Sequence, residues 1–223
     1  MPRSKKTRTK FTERFTARLR QTRMEVAAEA ARIIATEGQH NYHAAKKKAS
    51  ERLGISERLA LPSNIEVKDA LKGYQSLYGG SAHVDNLGWL RQGAVYAMHL
   101  LEQFNHRLVG AVLDGTANEH SRIALHTFSD SLEPVVLFFI ENGESFAQEQ
   151  RQIRWFNGEH RSVPLIVFEL ESAVVELTVF ELVNLRQAPP SPIDGKPQRR
   201  ATLAEAELLL MNQQDSLDRK LHL

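Results

Sequence analysis

Residues 106–128, with the sequence HRLVGAVLDGTANEHSRIALHTF, mark the point where the chain changes from helical to strand character. Arg107–Leu113 and Arg122–Phe128 are short runs rich in aliphatic side chains, and such runs bounded by turn residues are typical of β-strands. The residues between them are mostly turn formers. This segment therefore predicts a strand, a loop and a second strand.

The chain after this segment predicts further strands. Val163–Leu170 and Ala173–Phe180 are β-rich runs separated only by Glu171 and Ser172, which favours a hairpin with Val167 opposite Glu176. Because side chains alternate between the faces of a sheet, this register predicts one buried face. The buried face consists of Ile166, Phe168, Val175, Leu177 and Val179, and the opposite face of Leu165, Val167, Glu169, Val174, Glu176 and Thr178.

The rest of this second region predicts one more strand and two helices. In chain order these are a helix at Leu132–Glu141, a polar edge strand at Phe146–Phe156, a proline-rich loop at Arg186–Gln198, and a helix that a capping box of Thr202 and Glu205 opens and that ends near Gln213.

The region before residue 106 predicts four helices, because its apolar residues recur at spacings of three and four. Three of the helices end at glycines, and one begins with a capping box. The helices run from about Phe11 to Gly38, from Tyr42 to Gly54, from Ser63 and Glu66 to Gly79, and from Leu87 to Phe104.

Composition indicates an ordinary globular protein and excludes several kinds of site. Apolar residues make up 42% of the 223 residues and charged residues 25%. The chain has no cysteine, which excludes disulfides, thiolate metal sites and cysteine nucleophiles. Its longest apolar run, Val135–Ile140, is too short to span a bilayer. No apolar segment follows the basic first residues, so we expect no secretory signal, a cytoplasmic location and no membrane partner.

The charge is distributed unevenly along the chain. The first 60 residues hold 15 Lys and Arg against 6 Asp and Glu, whereas the remaining residues hold 14 against 21. A basic N-terminal part followed by an acidic remainder is typical either of a protein with an anionic partner or of a solvated helical face. The basic N-terminal region is therefore a candidate nucleic-acid surface.

The spacing of Gly110, Gly115 and Ser121, followed by the strand Arg-Ile-Ala-Leu, resembles the signature of the nucleotidyltransferase superfamily, which has the polymerase-β-like fold. The resemblance covers about Leu108–Phe180. It implies an α+β fold with a small mixed sheet. Gly110 then matches the first glycine of the signature, Gly115 the second and Ser121 its serine. Glu176 matches the third carboxylate, which the family takes from a later strand.

The sequence departs from that signature at the metal ligands. The two aspartates of the family would fall at Arg122 and Ala124. Two-metal phosphoryl transfer needs carboxylates to hold Mg²⁺, and neither side chain offers one. We therefore expect no metal and no cofactor. We also expect the Arg122 guanidinium to take the place of the metal and to pair with Glu176 or Glu169.

A second resemblance is carried by four stretches, which are Ala45–Gly54, Leu61–Asn64, Leu125–Phe128 and Arg186–Gly195. Through them, nearly the whole chain resembles a family of bacterial proteins called nucleotidyltransferase-like, some of which carry the name UDP-N-acetylmuramate–alanine ligase. A ligase of that kind needs a Gly-Lys-Ser or Gly-Lys-Thr phosphate loop, which this sequence lacks.

Three functions remain open at this point. The leading one is a pseudoenzyme that binds a ligand or partner, with an anionic ligand such as a nucleotide held near Gly110, Gly115, Ser121 and Arg122. The first alternative is an active, Mg-nucleotide-dependent nucleotidyltransferase with a non-standard site, for which Glu176, Glu169 and His126 are the catalytic candidates. The second is a nucleic-acid-binding or interaction module that uses the basic helices.

Three groups outside the signature are further candidates. His120 and His126 flank the predicted site and could form a metal pair or supply a general base. Lys46–Lys48 could bind phosphate. Lys196, Arg199 and Arg200 precede the last predicted helix, and helix N-termini bind anions. Each of these groups is also compatible with a purely structural or solvated role.

The predicted architecture is α+β, with an N-terminal helical region packed on a small mixed β-sheet. The predicted boundaries are residues 1–105 for the basic helical region, 106–213 for the nucleotidyltransferase-like domain and 214–223 for a tail.

Overall fold

The computed structural model describes residues 4–39, 41–56, 61–171 and 173–221. These residues form two compact units, which we call the helical unit (up to Gly79) and the α+β unit (from Gly80). The combination of helices with a five-stranded sheet confirms the predicted α+β class. Across the described residues, no helix has both the length and the apolar character needed to cross a membrane.

The helical unit contains α1 (Ser4–Glu37), α2 (Tyr42–Leu53) and α3 (Asn64–Tyr78) within its described residues. Local signals set the ends of these helices. The Asn41 side chain accepts hydrogen bonds from the first backbone amides of α2, and Gly54 ends α2 at φ +64°. The predicted capping box is confirmed, since Ser63 and Glu66 bond each other's backbone amides. The core consists of Val26, Ala27, Ala30, Ala31, Ile33, Ile34, Ala45, Ala49, Val67 and Leu71.

The capping box gives a first testable prediction. Ser63→Ala removes the hydroxyl that accepts a hydrogen bond from the Glu66 amide, and loss of such a cap costs about 1 kcal/mol. We expect the amides of α3 to exchange about fivefold faster with deuterium. Ser76→Ala is the matched control, because Ser76 is exposed in the last turn of the same helix, away from the cap. Equal exchange rates in the two variants would contradict the capping role.

The α+β unit begins with helix α4 (Gly80–Leu100), which the sequence analysis assigned to the helical region. The contacts divide the chain between Gly79 and Gly80 instead of after Asn105. The reason is that α4 buries Leu90, Ala94 and Met98 in the same core as the sheet. The remaining elements are β1 (Asn105–Val109), α5 (Gly110–Asp114), β2 (Ile123–Phe128), α6 (Glu133–Glu141), β3 (Phe146–Arg154), β4 (His160–Leu170), β5 (Ala173–Phe180), a 3-10 helix (Leu182–Leu185) and α7 (Leu203–Leu221).

Two predicted elements differ from the structure. Residues 110–113, predicted as the end of a strand, form the short helix α5, because Gly110 adopts φ +75° and ends the extended conformation there. The predicted tail after Gln213 continues as helix through Leu221. The Thr202–Glu205 capping box that opens α7 is confirmed.

The strands form one sheet in the order β1-β2-β5-β4-β3. All neighbours are antiparallel except β2 and β5, which are parallel. The predicted hairpin register is confirmed, since Leu170 pairs with Ala173 and Val167 with Glu176. Glu171 takes the left-handed conformation at φ +54°, and Ser172, the second turn residue, lies outside the described residues.

The two faces of the sheet have different surroundings. One face packs against α4 and α6 in the main core, which contains Leu125, Ile166, Phe168, Val175 and Leu177. This confirms the predicted buried face of the hairpin. The other face carries the alternate residues and is only partly covered. It positions the candidate site described next.

Candidate functional site

A cleft of about 800 Å³ lies on the partly covered face of the sheet. Its floor is formed by alternate residues of three strands, and its walls by the β3–β4 turn and the proline-rich loop between β5 and α7. Among the described residues that line the cleft, two are arginines and none is acidic. The lining includes Val109, Gly110, Ala124, His126, Arg151, Ile153, Arg154, Trp155, Phe156, Thr178, Pro190, Pro192 and Gln198.

Gly110 is a lining residue because the chain turns there from β1 into α5. Its φ of +75° lies in the region that favours glycine. A Cβ at this position would lie 3.5 Å from the Cβ of Ala124 on the neighbouring strand. Small residues at both positions therefore leave this end of the cleft open.

Among the described residues, Glu176 is the carboxylate that lies at the predicted position, directly beside Ala124 on the parallel strand β5. The predicted pairing with Arg122 is confirmed: the Arg122 guanidinium donates to a Glu176 oxygen at 2.9 Å. The second oxygen accepts from Arg151 of β3. Burial alone would raise the pKa of Glu176, but the hydrogen bonds and charges of Arg151 and Arg122 outweigh it and lower that pKa. The carboxylate is therefore ionised and fully paired at neutral pH.

The residues at this position do not fit the divalent metal that the resemblance implies. Mg²⁺ prefers several oxygen ligands in octahedral geometry. Arg122 carries a positive charge, Ala124 has no ligand atom, and guanidinium groups engage both oxygens of Glu176. In the described parts of the chain, no group of three His, Asp or Glu side chains could hold a metal ion.

His126, a predicted catalytic candidate, lies in the floor of the cleft and is only 5% exposed. Its Nδ1 atom accepts a hydrogen bond from the Arg200 Nε at 3.3 Å. Burial, with the nearby charges of Arg200 and Arg151, lowers the pKa of His126 to about 3. The ring is neutral at physiological pH, so it cannot act there as a protonated acid.

The β3–β4 turn gives the cleft an aromatic wall that the sequence analysis missed. Trp155 is buried with the Arg161 guanidinium 4.5 Å from its ring centre, while Phe156 is 46% exposed. The turn continues through Asn157 and Gly158. An Asn-Gly pair between two strand-like runs is a strong hairpin signal, and it would have predicted this hairpin and the place of Arg151 opposite Val163.

The other residues of the predicted signature have structural roles. Gly115 ends α5 at φ +75°, and a Cβ there would face Arg91 and Leu87 of α4. The Ser121 hydroxyl bonds the backbone and side chain of Asn118 within the loop. These two residues do not line the cleft.

The remaining predicted candidates also lie outside the cleft. Glu169 is exposed on β4, so Arg122 pairs with Glu176 instead. His120 is exposed and contacts Glu119 at 3.5 Å, whereas His126 is buried beside Arg200, so the two histidines form no metal pair among the described contacts.

The two basic clusters are partly engaged by the protein itself. In the helical unit, Lys46 donates to the Pro62 carbonyl and Lys48 pairs with Glu37 at 2.7 Å. At the N-terminus of α7, Glu205 already accepts the hydrogen bonds of the Thr202 amide and hydroxyl. An external phosphate would therefore compete with internal groups at both places. Binding of nucleic acid by the basic N-terminal region stays a prediction.

Comparison with known protein families finds no family model that matches this chain, and comparison with curated proteins finds no significant match. The nucleotidyltransferase resemblance therefore stays a prediction from the sequence.

Proposed function

We propose that the α+β unit is a nucleotidyltransferase-like pseudoenzyme that binds an anionic, nucleotide-sized ligand in the cleft without a divalent metal. The observation that carries the proposal is the Arg122–Glu176–Arg151 cluster. In it, two guanidinium groups neutralise the single carboxylate at the position where the family would hold its metal. The proposed location is cytoplasmic.

The order of elements supports the nucleotidyltransferase part of the proposal. A strand ending at Val109 leads through Gly110 into a short helix, and the next strand carries Ala124 in register with Glu176. This is the arrangement that the signature implies, with the third carboxylate beside the second aspartate position.

The polar groups of the cleft support the anionic nature of the ligand. Arg154 is exposed, lines the cleft and has no ion pair among the described residues. Arg151 contributes a second guanidinium, and the described lining contains no acid. Pockets of 300–1,000 Å³ hold drug-sized ligands, so a volume of about 800 Å³ accommodates a nucleotide.

Binding should be independent of divalent metal. We expect ATP or UTP to raise the melting temperature of the full chain equally in Mg²⁺ and in EDTA, because no step of binding uses the metal. Stabilisation by neither nucleotide would contradict the ligand class. Stabilisation only in Mg²⁺, or Mg²⁺-dependent nucleotide transfer, would favour the active-enzyme alternative.

Arg154 is the side chain that tests the cleft directly. Arg154→Gln removes a charge-assisted contact to the ligand, which is worth about 1.5 kcal/mol or about tenfold in affinity. The readout is titration calorimetry with the nucleotide that stabilises the wild type. Arg186→Gln is the matched control, because Arg186 is exposed in the same unit and does not line the cleft. Unchanged affinity in Arg154→Gln, or an equal loss in both variants, would place the binding site elsewhere.

A further inference from the structure

We infer that His126 and Thr178 form a hydrogen-bond subsite for a phosphate oxygen on the floor of the cleft, and that Arg200 fixes the His126 proton on Nε2. This inference rests on the proposed function, since it names the part of the cleft that recognises the anionic group. It adds Thr178, which the sequence analysis did not name, and it gives His126 and Arg200 roles that differ from the general base and the helix-terminal anion site considered there.

The two donors lie side by side. His126 of β2 and Thr178 of β5 are register partners on neighbouring parallel strands, which are separated by about 4.8 Å. Both side chains point to the cleft face, and both line the cleft. The exposed fractions of His126 and Thr178 are only 5% and 2%, so both side chains are held by packing in the floor of the cleft.

Both polar atoms are open to the cleft and lack a protein partner. Within the part of the chain that the structure describes, neither the His126 Nε2 nor the Thr178 hydroxyl makes a hydrogen bond. Both atoms are also accessible to solvent, because neither belongs to the fully shielded polar atoms that lack a hydrogen-bond partner. Both atoms are therefore available to hydrogen-bond a group that binds in the cleft.

Arg200 determines which nitrogen of His126 carries the proton. A guanidinium can only donate, so the Nδ1 that receives the Arg200 Nε hydrogen bond must be unprotonated. The neutral ring then carries its proton on Nε2, toward the cleft. Arg200 itself is held in place, since it donates to the Asn184 carbonyl at 2.7 Å and lies 4.8 Å from the centre of the Phe128 ring.

The charged groups around His126 keep it neutral. Arg107 lies opposite it on β1, Arg151 faces it from β3, and Arg200 approaches from the loop before α7. Glu176, two residues from Thr178 on β5, is already paired with Arg122 and Arg151. Because the surroundings are cationic and buried, they lower the pKa of His126 to about 3. The subsite thus presents two neutral donors in a positive environment, which suits a phosphate oxygen.

The protonation state can be measured without any ligand. Long-range ¹H–¹⁵N spectra of the full chain, with His126 assigned by its loss in His126→Gln, should show the Nε2–H form with no titration from pH 8 to pH 5. In Arg200→Met, the Nδ1–H form of the neutral ring should appear beside the Nε2–H form, because no donor then requires an unprotonated Nδ1. Arg199→Met is the control, because the Arg199 side chain is 64% exposed, and it should leave His126 unchanged. A wild-type His126 that titrates near pH 6.5, or that carries Nδ1–H, would overturn the role of Arg200.

The second test measures recognition of the phosphate. Thr178→Val keeps the shape of the side chain and removes the hydroxyl. We expect about tenfold weaker binding of ATP, with the His126 spectrum unchanged and adenosine binding unaffected. An ATP affinity equal to that of the wild type would overturn the subsite. If ATP does not bind the wild type, the proposed function fails, whereas the spectra still decide the role of Arg200 separately.

Discussion

Phe139→Ala is expected to lower the free energy of unfolding of the α+β unit by about 4 kcal/mol. Phe139 is completely buried in α6. Its ring centre lies 4.8 Å from that of Phe168 and 5.3 Å from that of Phe146, so the ring joins α6 to two strands. Alanine would leave a cavity between the helix and the face of the sheet behind the cleft. Urea denaturation followed by tryptophan fluorescence measures the loss.

The control for this variant is the next residue. Ile140 is 60% exposed on the same helix, and surface substitutions usually change stability by about 0.5 kcal/mol or less. Comparable losses in Ile140→Ala and Phe139→Ala would mean that α6 does not pack as described.

Glu176→Gln is expected to lower the free energy of unfolding by about 2 kcal/mol at pH 7, below the 3–5 kcal/mol of a fully buried pair. The smaller value reflects the exposure of the partners, since the Arg122 side chain is 51% exposed. The neutral amide would leave two guanidinium groups side by side without a counter-charge. Glu169→Gln is the matched control, because Glu169 is exposed on the same face of the sheet, and it should change little. Equal losses in the two variants would contradict the pairing.

The stability difference between wild type and Glu176→Gln should depend on pH in a definite direction. The pKa of Glu176 is lowered by folding, so its stabilising contribution is fully present above the unfolded value of about 4.3. The contribution is lost as the pH falls through the lower, folded value. The stability difference between wild type and Glu176→Gln should therefore be constant from pH 7 to about pH 5 and shrink below about pH 4. A difference that stays constant down to pH 2.5 would indicate that the carboxylate is not the group responsible.

The hairpin and the Arg122–Glu176 pair could be predicted from sequence because both depend on strict alternation along strands. Once Leu170 and Ala173 were placed opposite each other, every later partner followed, including Val167 and Glu176. The direction of Arg122, which directly precedes β2, followed from the same period of two.

The rest of the site depends on long-range contacts that alternation does not encode. Arg151 reaches Glu176 across β4, and Arg200 reaches His126 from 74 residues away. The helix after Gly110 was missed because a short apolar run is compatible with either a strand or a helix. The unit boundary was missed because an amphipathic helix such as α4 does not show in its own sequence which core it joins.

The parallel pairing of β2 with β5 has a consequence for biosynthesis. His126 and Thr178 become neighbours only through this pairing, and residues 127–177 must leave the ribosome between them. Arg200 follows 22 residues after Thr178. Since domains generally fold as units, ligand recognition should arise only after Arg200 has been synthesised and the whole unit has folded. A ligand of this cleft would then stabilise the folded unit against turnover, while a chain that stops before Arg200 would lack the complete subsite.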